Sequence, residues 1–171
     1  MAAHMPPAVR YRFVFAALLL LALCACGVPR GQFSGRVAGV LDGDTIEVLR
    51  EGKPVRVRLH GIDCPERRQA FGTVARKFTS ERAFGKTVTV LVRDRDRYGR
   101  TVGEVLLPDD GNLNHELLRA GLAWWYRRFA EDPRLEQAEA EARQAGRGLW
   151  SDPRPVAPWD YRREQRTAPA R

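Results

Sequence analysis

Three short stretches of this sequence concentrate side chains suited to work on a phosphodiester. Asp42-Gly43-Asp44-Thr45 sets two carboxylates beside a tight turn. Asp63-Cys64-Pro65-Glu66 adds two more acids just after a segment carrying Arg58. Asp96-Arg97-Tyr98-Gly99-Arg100 ends a polar turn on an arginine. Alone, each reads equally well as an ordinary acidic or polar turn. Together they supply complementary parts. Asp44 and Asp63 can hold a hard cation through oxygen. Arg58 and Arg100 offer planar forks that fit a phosphodiester. Glu66 is a further carboxylate able to handle a proton. Charge grows on the phosphoryl oxygens as water attacks, so a cation, two guanidinium groups and a carboxylate are what hydrolysis of that bond requires.

These groups must be positioned by neighbouring elements, and the hydrophobic pattern predicts them. Strands are expected over 33–41, 45–49, 55–59, 87–92 and 101–107, with Asp42-Gly43 as a hairpin-turn dipeptide. In the third strand Val55, Val57 and Leu59 share one face and Arg56 and Arg58 the other, since side chains alternate along a strand. Phe71, Val74, Ala75 and Phe78 recur at helical spacing, with Gly85 as the stop. A short helix starts at Asn112 and closes at Gly121. Another starts at Asp132-Pro133, a capping acid followed by an N1 proline, and ends at Gly146 or Gly148. The prolines from Pro153 to Pro158 predict an extended run. The pattern gives an α+β, mainly β, class: a small antiparallel barrel of five strands, with the OB-fold as the leading architecture and about three helices packed on it.

The chain has 171 residues, 44% hydrophobic and 29% charged, which fits one globular domain and excludes wholesale disorder. Its three cysteines are too few for a disulfide scaffold. The net charge of +8 favours a polyanionic partner. Arg10 and Arg12 precede an 11-residue apolar run from Phe13 to Leu23, the pattern of a secretory signal and short for a membrane span. Leu23-Cys24-Ala25-Cys26 resembles the lipobox of bacterial lipoproteins, with cleavage before Cys26 and lipid on its thiol. Ordinary cleavage with release, or an uncleaved anchor, are the alternatives. Residues 1–25 carry two arginines and no acid, so their removal leaves the basic charge on the domain. The expected organisation is a signal over 1–25, a tether over 26–34, the domain over 35–160 and a basic, disordered tail over 161–171.

The ordered set formed by residues 40–45, 58–66 and 96–100 resembles the signature stretches of the staphylococcal nuclease (thermonuclease) family. Asn114, Glu116, Leu117, residues 121–123 and Gly148-Leu149-Trp150 are similar to its later landmarks. The resemblance covers roughly 35–150. It implies a calcium-dependent nuclease on an OB-fold barrel that cuts DNA and RNA and leaves 3′-phosphate ends; the signal and lipobox pattern predicts its export to the cell envelope, and a monomer is expected. Carried over by position, Asp44 and Asp63 are carboxylate ligands of Ca2+, and Cys64 gives its main-chain carbonyl. Asp42 supports these ligands from behind. Arg58, Glu66 and Arg100 form the catalytic trio, with Glu66 as general base. Arg97 and Tyr98 meet the substrate.

The sequence also departs from the family pattern. Cys64 stands where the best-known member has threonine, a change a carbonyl ligand tolerates. His60-Gly61 replaces bulkier apolar residues, and His60 reads as a strand-end residue rather than a ligand. Trp124-Trp125-Tyr126-Arg127-Arg128 replaces a tyrosine-bearing stretch. Aromatics interleaved with arginine suit stacking on single-stranded bases, with Tyr126 the chosen aromatic, although core packing explains them equally well. The competing functional class is a non-catalytic OB-fold module, a nucleic-acid- or protein-binding envelope lipoprotein.

Overall fold

The computed structural model describes residues 31–167. Strands β1 (Gln32–Asp42), β2 (Thr45–Arg50), β3 (Lys53–Leu59), β5 (Thr87–Arg95) and β6 (Thr101–Leu106) close into a barrel in the order β1-β2-β3-β6-β5. A two-residue ribbon pairs β4 (Ile62–Asp63) with β7 (Trp124–Trp125). Helix α1 (Gly72–Ala83) interrupts the strands. Helices α2 (Leu113–Arg119), α3 (Pro133–Gln144) and α4 (Pro158–Thr167) follow them, with a 3-10 turn at Gly148–Ser151 between the last two.

The barrel interior follows from strand alternation. Val37, Ile46, Val48, Val57, Leu59, Val88, Val90 and Val105 are buried, and Leu113, Leu117 and Leu118 of α2 join the same cluster. Burying one such aliphatic side chain stabilises by about 1.5–3 kcal/mol, so the core stands on these rows. Asn112 caps α2 by accepting from the backbone N–H groups of Asn114 and His115. The buried Asn114 then fixes α2 to the barrel end: its Nδ2 donates to the His60 carbonyl at 2.9 Å and its Oδ1 accepts from Val105 N at 3.1 Å. Asp132 caps α3, with Pro133 at its first turn.

The fold departs from the expected layout in three places. The barrel is not wholly antiparallel: β3 and β6 pair in parallel, with Val57 opposite Thr101 and Arg58 opposite Val102. The connection through α1 and β5 returns the chain along β3 in the same direction, and hairpin logic does not foresee that seam. The N-terminal strand begins at Gln32, within the expected tether. The C-terminal segment is helical from Pro158 through Thr167, where a disordered tail was expected from 161; residues 168–171 lie outside the described residues. Pro158 starts that helix, where a missing N–H costs nothing, and is itself buried. The signal segment and Cys26 likewise lie outside the described residues.

Candidate active site

The first acidic turn is held by α1 and by the segment that leads into it. Thr79 donates to the Gly43 carbonyl at 2.5 Å, Arg76 Nε to the Val40 carbonyl at 3.1 Å, and Arg67 to the Leu41 carbonyl at 2.7 Å. Gly43 is required for this close approach: a Cβ there would lie 2.8 Å from the Ala75 Cβ and 2.9 Å from the Cys64 Cβ. Leu59 N donates to the Asp44 carbonyl at 2.8 Å, so the turn lies on the end of β3. The second acidic stretch leaves β4 and enters α1 by a tight turn. Gln69 N donates to the Glu66 carbonyl at 2.8 Å, and Glu66 N donates to Gln69 Oε1 at 3.1 Å.

The two stretches converge on Arg58. One of its terminal nitrogens bonds Asp44 Oδ2, and the other bonds Asp63 Oδ1 at 2.6 Å. Asp44 also accepts from Cys64 N at 2.6 Å and from the Thr45 hydroxyl at 3.1 Å. Asp63 is 1% exposed and the Arg58 side chain 15%. Alternation sends Arg58 out of the core, and the loops at 42–44 and 62–66 then fold over it. Arg56, two residues earlier on the same face, has no such cover and makes an exposed ion pair with Glu47. Two buried carboxylates sharing one guanidinium place strong negative charge where a cation can compensate it.

Glu66 joins through a residue the sequence reading missed. Arg162 of α4 donates to Asp63 Oδ2 and to Glu66 Oε1, both at 2.7 Å, and to Asp63 Oδ1 at 3.3 Å. Partial burial works against charge on this guanidinium, but its bonds to the two carboxylates outweigh that and push its pKa upward. Its signal in the sequence is slight: Trp159 and Arg162 lie three residues apart after a proline fit for a first helical turn.

Arg100 is placed differently. It precedes Thr101, which pairs with Val57 beside Arg58, but its Nε bonds Asp96 Oδ2 at 2.6 Å. Asp96 Oδ1 also accepts from the backbone N–H groups of Tyr98 and Arg100. Burial acts to raise the Asp96 pKa, but these donors overcome it and hold the carboxyl below its usual range. Arg97 and Tyr98 project from this turn into solvent, with Arg97 over the tyrosine ring and bonded to its hydroxyl at 2.7 Å. Among the described residues the Asp42 carboxylate makes a 3.7 Å ion pair with Arg67. Burial pushes the Cys64 thiol pKa up, and it is the Cys64 backbone N–H that donates to Asp44.

Tyr126 stacks on Trp159 with ring centroids 5.1 Å apart and planes 13° from parallel, and Phe129 meets its edge. Trp124, Trp125, Tyr126, Arg127, Arg128, Arg143 and Trp159 line a cleft of about 450 Å³. The aromatic-basic stretch is therefore partly packed and partly open. His60 lines a separate cleft of about 260 Å³ at the start of α3, apart from the carboxylates.

A five-stranded barrel with paired acids and an arginine at the end of β3 defines a class, and comparison with known proteins agrees. Residues 56–152 match the family described as Staphylococcal nuclease homologue. A protein named uncharacterized endonuclease from Escherichia coli is 47% identical over 144 residues, covering 84% of this chain and 94% of that one. A micrococcal nuclease from Shigella flexneri is 40% identical over 168 residues, covering 92% and 94%. A probable staphylococcal-like nuclease of Oryza sativa subsp. japonica is 38% identical over 124 residues, 72% of this chain but 37% of its own length. The chain belongs to the staphylococcal nuclease family and is a nuclease, an enzyme that cleaves phosphodiester bonds.

Proposed function

We propose that this nuclease is calcium-dependent and hydrolyses DNA and RNA to leave 3′-phosphate ends. The observation supporting this reading is the convergence of Asp44 and Asp63 on Arg58, with Glu66 joined at the far edge of Asp63. Among the described residues no three His, Cys, Asp or Glu side chains form a ready metal cluster. A cation here would rest on the Asp44 and Asp63 carboxylates and the main-chain carbonyl of Cys64, with Asp42 behind them and water completing the shell. That all-oxygen set suits calcium over zinc. Its fit is supported by the charge count of the cluster, in which three carboxylates, Asp44, Asp63 and Glu66, meet two guanidinium groups. When bound, the ion supplies Lewis-acid polarisation of a phosphoryl oxygen.

The chain's own groups do the rest. Glu66 is 40% exposed, so water can reach it, and it takes the proton as that water attacks. Arg58 and Arg100 donate to phosphoryl oxygens that gain charge in the transition state. Arg97 meets a phosphate, and Tyr98 and Tyr126 offer aromatic faces to the nucleotide. The protein acts as a monomer, exported and held at the cell envelope by lipid on Cys26. Plasmid and single-stranded DNA should be degraded with calcium and spared in excess chelator. Full activity in chelator would remove the calcium assignment.

A further inference from the structure

Helix α4 touches the site at both places where the proposed function puts a ligand. At one, the Arg162 guanidinium spans both oxygens of Asp63 and one of Glu66. At the other, the Trp159 indole lies flat on Tyr126, as a nucleobase would, and meets Trp124 edge-on with centroids 5.7 Å apart. The approach to the helix is fastened too: Gln69, in the turn that carries Glu66, donates to the Val156 carbonyl at 2.6 Å. The buried Ala157 and Pro158 then anchor the start of the helix.

The partners of each carboxylate oxygen decide what this arrangement does. Asp44 Oδ2 is shared by Arg58 and Cys64 N, and Asp44 Oδ1 takes the Thr45 hydroxyl. Asp63 Oδ1 is shared by Arg58 and Arg162, and Asp63 Oδ2 takes Arg162. Arg58 leaves from the barrel wall and is fixed by β3, whereas Arg162 arrives on a terminal helix. The Arg162 side chain is 36% exposed, so water can receive the guanidinium once a cation takes over its charge at the buried Asp63. A divalent ion at Asp63 and a guanidinium at the same oxygens compete for one pool of negative charge.

Building on the calcium-dependent reading, we propose that Arg162 sets the cation requirement of this nuclease. It is a resident counter-cation that holds Asp63 and Glu66 until a divalent ion displaces it, while Trp159 covers the nucleotide face of Tyr126. Cation binding and release of α4 are then linked, and the linkage is reciprocal: what loosens the helix tightens the ion, and the ion loosens the helix.

The test uses the full chain and calcium alone as probe. Arg162→Ala should bind calcium on the order of fivefold or more tightly by calorimetry, as expected for removal of a linked competitor. Trp159→Ala, which leaves the arginine in place but frees its helix, should shift affinity the same way by less. In the unaltered protein, calcium should speed hydrogen exchange of the amides over 158–167. Should Arg162→Ala not fold, Trp159→Ala and the exchange experiment still decide. Unchanged or weaker calcium binding in the variants, or a helix equally or better protected with calcium, overturns the proposal and makes Arg162 a supporting ion pair. If the unaltered protein binds calcium and cuts DNA, that result leaves the nuclease reading standing. If neither protein nor variants bind calcium, both readings fall.

Discussion

Arg58 lies on β3 and Arg100 in the turn just before the neighbouring β6, and their surroundings differ. Arg58 is enclosed by acids from two segments separated by 19 residues and two turns of chain. Arg100 is met by Asp96, four residues earlier in its own turn, with the backbone of that turn completing the carboxylate's partners. The first pairing depends on the barrel and α1 bringing distant loops together. The second closes on itself wherever the turn forms. A long-range charge cluster is sensitive to every element that positions it, whereas a local one is sensitive chiefly to its own two partners.

The largest effect expected from that contrast is on catalysis. Arg58→Lys keeps the charge but loses the fork that spans two acids, and kcat should fall by about 10²–10³, the scale for losing one transition-state donor. Glu66→Gln should cost about 10²–10⁴ if the carboxylate is the base, and should flatten the acid limb of the pH–rate profile. Arg100→Lys should also lower kcat, but by less than Arg58→Lys, because its local turn holds a lysine near the same place. Steady-state kinetics on single-stranded DNA reads all three. Equal losses for the two arginines would erase the distinction drawn between them.

Next in size is a change that strikes the scaffold of the first cluster without touching a charge. Gly43→Ala drives a methyl into Ala75 and Cys64. It should destabilise the fold by about 1–3 kcal/mol, the range for overpacking, and lower kcat with it, as read by urea unfolding alongside kinetics. A matching substitution at Gly99 meets open space but sits at positive φ, so strain acts there without a clash.

The smallest effect tests the local pair through pH. The folded Asp96 carboxyl has a depressed pKa, so ionisation favours the folded state. Its stabilisation is complete above the ordinary carboxylate range and is lost as pH falls through the depressed folded value. Asp96→Asn should therefore lower stability at neutral pH and remove part of the acid-side slope of melting temperature against pH. An unchanged slope would mean that Asp96 orders the turn without storing stability in its charge.

Much of this molecule was legible before folding because the signals are local. Alternation gave the five strands and the outward face of Arg58, and Asn112 and Asp132 marked helix starts that the structure places within a residue. The candidate site residues stand out in the sequence by type and order. Their contacts were less visible. Asp96 belongs to a polar turn visible in the sequence, and its bond to Arg100 follows from turn geometry. The bond of Asp63 to Arg58 follows from nothing between those residues.

What the sequence determined by itself is what depends on neighbours a few residues apart: strand periods, caps, turns, the basic charge and the presence of three acidic or basic stretches in family order. The tertiary structure decided which of these meet. The parallel pairing of β3 with β6 set Arg100 beside the strand of Arg58. Packing of α1 against Gly43 holds the turn that carries Asp44, and Asp44 and Asp63 meet on Arg58. The path of residues 152–158 over the surface carried Arg162 back some 100 residues in sequence to Asp63 and Glu66. Read alone, a short tail rich in arginine and polar residues buries too little apolar surface to offset the entropy of ordering it. It becomes a helix here because the barrel and its aromatic cleft were already in place to receive Trp159 and Arg162.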